Sequence, residues 1–416
     1  MAKHGNILGI DFGTSNSAAG YVKDGQPQLI EMTPGQKTIP TTFFFDFETR
    51  QTLIGELANQ ALLDGVEGRF MRALKRVLGT TLMHEKRQIL NQRMTFVDII
   101  AGFLKKIKTR AEAEVGVTFD HVVSGRPVVF HGVGDPREAK AETDLRACYL
   151  AAGFSGVTFI AEPEAAAIAS GALEQPDGIG LIVDIGGGTS DFSLFRTGPD
   201  GVTILANHGV RIGGTDFDRA ISIDRVMPLL GKGTQLRKVI GPGLSPVPNA
   251  IFNDLATWEK ITFLYTAENR RMAAEMARLA DAPGEMNRLV TVLDHELGHE
   301  MAFAVERGKI AASSGDAHPA IFLGQVEPGL SVALPVAALA LIMADQAQML
   351  RLGAQEVVQM AGLRSDQVDQ VIYVGGSSLM SMVQATMRAQ FPNAAHSFTE
   401  VFTAVADGLA IASAQG

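Results

Sequence analysis

Two short segments place an aspartate at the end of an apolar run, with a glycine-rich turn directly behind it. Asp11-Phe12-Gly13-Thr14-Ser15-Asn16 follows Ile7-Leu8-Gly9-Ile10, and Asp184-Ile185-Gly186-Gly187-Gly188-Thr189 follows Leu181-Ile182-Val183. A glycine turn exposes successive backbone N–H groups, and these form a concave site for phosphate oxygens. Thr14 and Thr189 add hydroxyl donors. An aspartate at the strand end repels such a phosphate unless a cation lies between them. Mg²⁺ suits this role, because it keeps several waters and is held by few carboxylates plus phosphate. Taken singly, each Asp-x-Gly also reads as a plain hairpin turn. No Gly-x-x-x-x-Gly-Lys-[Ser/Thr] motif occurs, so any phosphate grip here is not a P-loop.

Positioning two such loops requires strands. Each apolar run suits a strand buried on both faces, and a third, Val371 to Val374, ends in Gly375-Gly376-Ser377-Ser378. After each Asp-x-Gly loop comes a second alternating segment, Ser17 to Val22 and Asp191 to Phe195. Helical periodicity spans Phe96 to Val115 and Met343 to Ala361. Strands alternating with helices predict α/β layers. The two loops repeat each other too far apart for a solenoid, which predicts two similar domains offering one loop each to a shared cleft. The Pro/Gly-rich section Gly231 to Asn249 reads as a long surface loop. Glu162 precedes Pro163, which predicts an extended Glu162 and a helix opening at the proline.

Composition narrows the class. With 46% hydrophobic and 19% charged residues, a 416-residue chain folds rather than staying disordered. A net charge of −9 lacks the footprint of a general nucleic-acid binder. One Trp and four Tyr make a poor base-stacking surface. Cys148, the one cysteine, forms no internal disulfide and gives no CxxC metal framework, and it points to a reducing compartment. The N-terminus from Met1 to Asn6 runs into a strand-like segment without an apolar leader. The longest apolar stretch, Leu330 to Ala344, is broken by Ser331 and Pro335 and is too short to span a bilayer. The expectation is a cytoplasmic protein with neither membrane nor nucleic acid as partner.

These residues resemble a family. Ile7 to Ser17 resembles the first phosphate loop of the Hsp70 chaperone ATPase domain, and Asp184 to Asp191 resembles the second. Gly213-Gly214-Thr215-Asp216-Phe217-Asp218 is similar to the segment that follows, Glu162-Pro163-Glu164-Ala165-Ala166-Ala167 to a helix start, and Val374 to Ser378 to the adenosine loop. The motifs stand in family order over nearly the whole chain. The resemblance implies an α/β actin-like ATPase fold, with two duplicated RNase H-like lobes around a nucleotide cleft. It implies limits of 1–39 plus 96–173 plus 399–416 for the lobe I core, with 40–95 inserted. It gives 174–212 plus 345–398 for the lobe II core, with 213–344 inserted.

Roles follow position by position. Ala73-Leu74-Lys75-Arg76-Val77-Leu78-Gly79 resembles the segment bearing the family's catalytic lysine, which implies that role for Lys75. Taken alone, Arg72, Lys75 and Arg76 would form a solvated basic helix face. The resemblance implies catalytic positions at Glu162, Asp184, Thr189 and Asp191, with Asp11 and Asp184 holding Mg²⁺ through water. It implies nucleotide contacts at Gly13, Thr14, Ser15, Asn16, Gly187, Gly188, Thr189, Gly213, Gly214, Glu306, Lys309, Ile310, Ser313, Gly375, Gly376, Ser377 and Leu379. The implied cofactors are ATP or ADP with Mg²⁺. The implied function is a chaperone-type protein that hydrolyses ATP slowly and moves its lobes, with an unidentified protein client or co-chaperone as partner. The rival readings are a nucleotide-gated binding module with negligible turnover, a small-molecule kinase of the same superfamily, and a filament-forming member.

The sequence departs from the family in two ways. Ile310 and Leu379 stand where the family has arginines that sandwich adenine, so cation–π stacking is lost. The chain also ends at Gly416, soon after a closing helix from Ala404 to Ala414, which leaves no peptide-binding domain in the expected plan. One further motif, His295-Glu296-Leu297-Gly298-His299, fits the His-Glu-x-x-His zinc pattern. It lacks an evident further ligand, and the expectation for it is an exposed polar helix face.

Overall fold

Strand Ile7–Phe12 is the middle strand of one sheet, and strand Ile179–Ile185 is the middle strand of another. The computed structural model of the chain describes residues 7–131, 135–171, 177–199, 201–238, 240–398 and 403–414. The expected limits at 173/174 and at 399, and the segment from Met1 to Asn6, lie outside the described residues.

The two sheets share one plan. In lobe I, Ile7–Phe12 pairs antiparallel with Asn16–Lys23, which pairs antiparallel with Gln26–Leu29. On its other side Ile7–Phe12 pairs parallel with His121–Arg126, and that strand parallel with Gly156–Ala161. In lobe II, Ile179–Ile185 pairs antiparallel with Ser190–Gly198, which pairs antiparallel with Gly201–Val210. On its other side it pairs parallel with Gln370–Val374, and that strand parallel with Ala395–Ser397. The duplication expected from the two Asp-x-Gly loops is therefore a duplication of whole sheets. This is the actin-like ATPase fold.

Burial explains why the central strands are so apolar. Leu8, Ile10 and Phe12 are fully buried, as are Leu181, Val183 and Ile185. Each such side chain contributes about 1.5–3 kcal/mol relative to an exposed one. The parallel crossovers carry helices Phe96–Val115, Arg137–Ala151, Ala344–Met360 and Ser381–Gln390. Helix Phe96–Val115 begins with a full capping box between Thr95 and Asp98 and ends at left-handed Gly116.

Helices Glu162–Ala169 and Ala404–Ser413 pack on each other between the two sheets. Small residues make this approach possible. Ala165, Ala166 and Ala167 are fully buried, and a Cβ on Gly408 would collide with the Ala165 carbonyl. Two smaller bodies hang on the lobes. Strands Thr42–Asp46, Thr52–Ile54 and Gly68–Arg72 with helix Glu56–Leu63 attach to lobe I. A mainly helical body runs from helix Gly214–Ile221 to helix Gly298–Ser313 on lobe II.

Three local expectations change. The section from Gly231 to Asn249 holds a short hairpin of Gln235–Arg237 with Leu244–Pro246, rather than only a loop. Glu162 is already the first helical residue and Ala161 the extended one, so the helix opens one residue before Pro163. Residues Arg72, Lys75 and Arg76 share no helix face: Arg72 ends a strand, and the other two sit on the 3₁₀ turn Leu74–Val77. Among the described residues, no helix is long and apolar enough to cross a membrane.

Candidate functional site

Both Asp-x-Gly segments are hairpin turns, and both open into one cleft of about 1530 Å³ between the lobes. The turns abut directly. A Cβ added to Gly187 would lie 2.6 Å from the Ser15 hydroxyl. The carbonyls of Gly186 and Gly187 accept from the N–H groups of Gly214 and Thr215 at 2.9 and 2.7 Å, at the start of helix Gly214–Ile221. This anchors the back of the second loop. Among the described residues, the N–H groups of Thr14, Ser15, Gly187 and Gly188 have no protein acceptor. Four unused donors on two facing turns make a ready cradle for anionic oxygens. Gly13 is required by sterics, since a Cβ there would strike the Asn16 carbonyl.

Charge collects beneath the turns. Asp184 and Asp191 are direct cross-strand partners, which sets two carboxylates against each other. Burial first, then Asp191 and Glu162, drives the Asp184 carboxyl well above the usual range. Burial and Glu162 push Asp11 up to about 7, and burial and Glu162 push Asp191 up to about 6. The Thr189 hydroxyl bonds Asp191 and opposes that rise. One cation answers them. Lys75 Nζ lies 2.5 Å from Glu162 Oε1. Burial works against its charge, but Glu162, Asp11 and Asp184 outweigh this and raise its pKa. The turn that aims Lys75 inward starts at Ala73 with φ 58°, a left-handed backbone that is strained for alanine.

The far wall comes from helix Gly298–Ser313. Glu306, Lys309, Ile310 and Ser313 recur at helical spacing and line the cleft together. Lys309 is buried and its Nζ lies 2.8 Å from Asp218, whose carboxyl burial lifts to about 6 against the pull of Lys309. Ile310 is 56% exposed. The Ser313 hydroxyl is buried and has no partner among the described residues. Opposite stands the turn Gly375 to Leu379. Gly375 has φ 79°, and a Cβ there would lie 2.9 Å from Asp184 Oδ1. A Cβ on Gly214 would lie 2.7 Å from the Ser377 hydroxyl.

Every predicted site residue except Gly213 lines this cleft. Gly213 sits behind the second loop, where a Cβ would meet the Gly188 nitrogen at 2.6 Å. Several lining residues escaped the sequence reading. Arg76 reaches over Gly188, and the Arg72 guanidinium lies 4.5 Å from the Trp258 ring. Asp218, within a quoted motif, was not singled out; its partner Lys309 is remote in sequence. The His-Glu-x-x-His motif is not an exposed helix face. Helix Pro283–Asp294 stops before His295, Glu296 has φ 57°, and a new helix starts at Gly298. His299 is buried against Trp258 at 4.7 Å, and burial, then Arg72, lowers it to about 4. Among the described residues no group of three His, Cys, Asp or Glu is arranged to hold a metal directly.

Residues 7–228 match the sequence profile described as Hsp70 protein. The chain belongs to the Hsp70 family. It is 34% identical over 227 residues to the chaperone protein DnaK of Methanothermobacter thermautotrophicus, covering 53% of this chain and 36% of that one. It is 27% identical over 412 residues to the chaperone protein DnaK of Thermosipho africanus, covering 98% of this chain and 58% of that one. This Hsp70-family chain thus spans well under two thirds of those relatives' own lengths.

Proposed function

We propose that this chain binds ATP with Mg²⁺ between its lobes and hydrolyses it slowly, its lobes opening and closing with nucleotide state. The observation that carries this reading is the meeting of two glycine turns, with four unused N–H donors, above Asp11, Asp184, Asp191, Glu162 and Lys75. The donor set fits a divalent cation: four clustered carboxylates face one ammonium, and burial raises three of them. Asp11 and Asp184 would hold Mg²⁺ through water. Bound Mg²⁺ would neutralise phosphate charge. Lys75 would place a positive charge where negative charge develops on the terminal phosphate. Glu162 fixes Lys75 and, with Asp191, would orient a water. The turns at Gly13 to Asn16 and Gly187 to Thr189 would hold the phosphates, and Gly213, behind the second turn, would keep its shape. Glu306, Lys309, Ser313 and the turn Gly375 to Leu379 would hold the nucleoside.

In this reading residues 40–95 and 213–344 are the outer walls, and hinge movement of these walls opens the cleft. A client or co-chaperone would act through that movement. A second reading has its own support. Ile310 and Leu379 offer aliphatic packing without a charge over the base, which favours a nucleotide-gated binding module with negligible turnover.

Calorimetric titration with ATP, ADP and GTP, with and without Mg²⁺, together with phosphate release, tests both. Mg²⁺-dependent binding with slow release of phosphate supports the first reading. Binding without release supports the second, and no binding of any nucleotide overturns both.

A further inference from the structure

A second, small cavity of about 30 Å³ lies behind the carboxylates, with Glu162, Asp184, Asp191, Ser193 and Asn207 as its polar lining. That is room for a water molecule, and the lining supplies the polar partners such a water needs. Asn207 lines both this cavity and the main cleft. It stands opposite Ser193 in the antiparallel pair of Ser190–Gly198 with Gly201–Val210. The Ser193 hydroxyl donates to Asn207 Oδ1 at 2.6 Å. That bond turns the amide, so its Nδ2 donors are the free end; among the described residues no protein acceptor takes them.

The same strand carries Gly209 opposite Asp191. A Cβ on Gly209 would lie 2.9 Å from Asp191 Oδ1, so the Asp191 carboxylate rests over the bare glycine. Asn207 and Gly209 share a strand face, being two residues apart. Asn207 and Asp191 are therefore diagonal neighbours, whose backbones lie roughly 7–8 Å apart, a separation that a single water between the side chains can bridge.

We propose that Asn207 is a positioning residue for the hydrolytic site: its amide holds a water in the small cavity, and that water fixes the Asp191 carboxylate in the orientation that faces the cleft. The proposal rests on the nucleotide reading above for its effect on turnover, and on geometry alone for the water. Ser193 locks the amide from behind, Gly209 leaves space for the carboxylate, and Asn207 supplies amide donors.

The test combines crystallography with kinetics on the full chain. A high-resolution crystal structure of the wild type is expected to show a water bonded to Asn207 Nδ2 and to Asp191. Asn207→Ala removes both polar ends. Asn207→Leu removes them at nearly unchanged side-chain volume and adds no charge. Both variants are expected to melt near the wild type and to bind Mg²⁺-ATP with unchanged Kd. Both are expected to turn over about tenfold more slowly, the loss of one hydrogen bond to a charged group. A fall in binding parallel to the fall in turnover, or turnover within about twofold of wild type, overturns the positioning role. If the wild type binds no nucleotide, the nucleotide reading fails on its own. The cavity then decides the present proposal: a water on Asn207, and an Asp191 that rotates in Asn207→Ala, uphold it, and a dry cavity overturns it.

Discussion

Lys75 and Glu162 meet at 2.5 Å although 87 residues separate them. One comes from the 3₁₀ turn Leu74–Val77, the other from the first turn of a helix between the lobes. Both are largely buried, with side-chain exposures of 9% and 16%, and Asp11 and Asp184 add to the negative field on the lysine. Removing either partner leaves the other charge poorly compensated.

Lys75→Ala is expected to lower ATP turnover by about 100-fold or more, the scale of losing a charge aimed at the reacting phosphate. Nucleotide binding, which the proposed function assigns to the glycine turns, is expected to stay largely intact. Phosphate release and calorimetry on one preparation measure both; unchanged turnover would remove Lys75 from the catalytic role.

The clustered carboxylates set a pH dependence. Asp11 is raised to about 7, and Asp191 and Asp218 to about 6, by burial foremost. Between the ordinary aspartate value and these raised values the folded state binds more protons than the unfolded chain. Their contribution to stability therefore falls as pH rises from about 4 to about 7. His299, lowered to about 4 by burial, works in the opposite direction: stability is lost as pH falls through its ordinary value of 6.5. The comparison that isolates the acids is Asp11→Asn against wild type in thermal melts without Mg²⁺ or nucleotide. The variant is expected to melt at least about 2 °C higher at pH 8, with the gap closing near pH 4. A gap that does not change with pH contradicts the assignment.

Two glycines behind and within the second turn separate backbone from side-chain crowding. A Cβ on Gly213 would lie 2.6 Å from the Gly188 nitrogen and 2.7 Å from the Gly186 carbonyl, and neither backbone atom can give way. A Cβ on Gly188 would meet the far end of Arg76, which can swing aside. Gly213→Ala is expected to cost about 1–3 kcal/mol and to weaken nucleotide binding. Gly188→Ala is expected to melt close to wild type. Denaturant unfolding of the two variants side by side checks this, and equal stabilities would contradict it.

Trp258 is the single tryptophan and lies 4.5 Å beneath the Arg72 guanidinium, with His299 and Phe303 edge-on to it. Arg72 ends strand Gly68–Arg72 of the small three-stranded body on lobe I, while Trp258 begins the 3₁₀ helix Trp258–Leu264 on the lobe II side. The pair spans the cleft. Arg72→Ala is expected to change Trp258 emission and to speed nucleotide dissociation by about 2- to 30-fold, the range of one cation–π contact. Stopped-flow with a fluorescent nucleotide reads the rate, and an unaltered rate with altered emission would make the contact merely local.

The sequence alone carried the repeat. Apolar strand, aspartate and glycine turn are encoded by neighbouring residues, so Asp11 and Asp184 and their turns could be read directly, as could the helix from Phe96 to Val115. Lys75 and Glu162 could be picked out as candidates as well, since short motifs surround them, and the structure brings the two together in the cleft. Only the folded chain decided which remote groups meet. The Gly187 turn faces Ser15 because two sheets are docked through the helices at Ala165 and Gly408. Lys309 finds Asp218, Arg72 finds Trp258, and His299 turns inward to that ring instead of outward to solvent or metal. Local spacing fixes a strand or a turn because its hydrogen bonds and apolar period are local. The partner of a charge or a ring is set by how whole layers pack, and no short stretch of this chain contains that information.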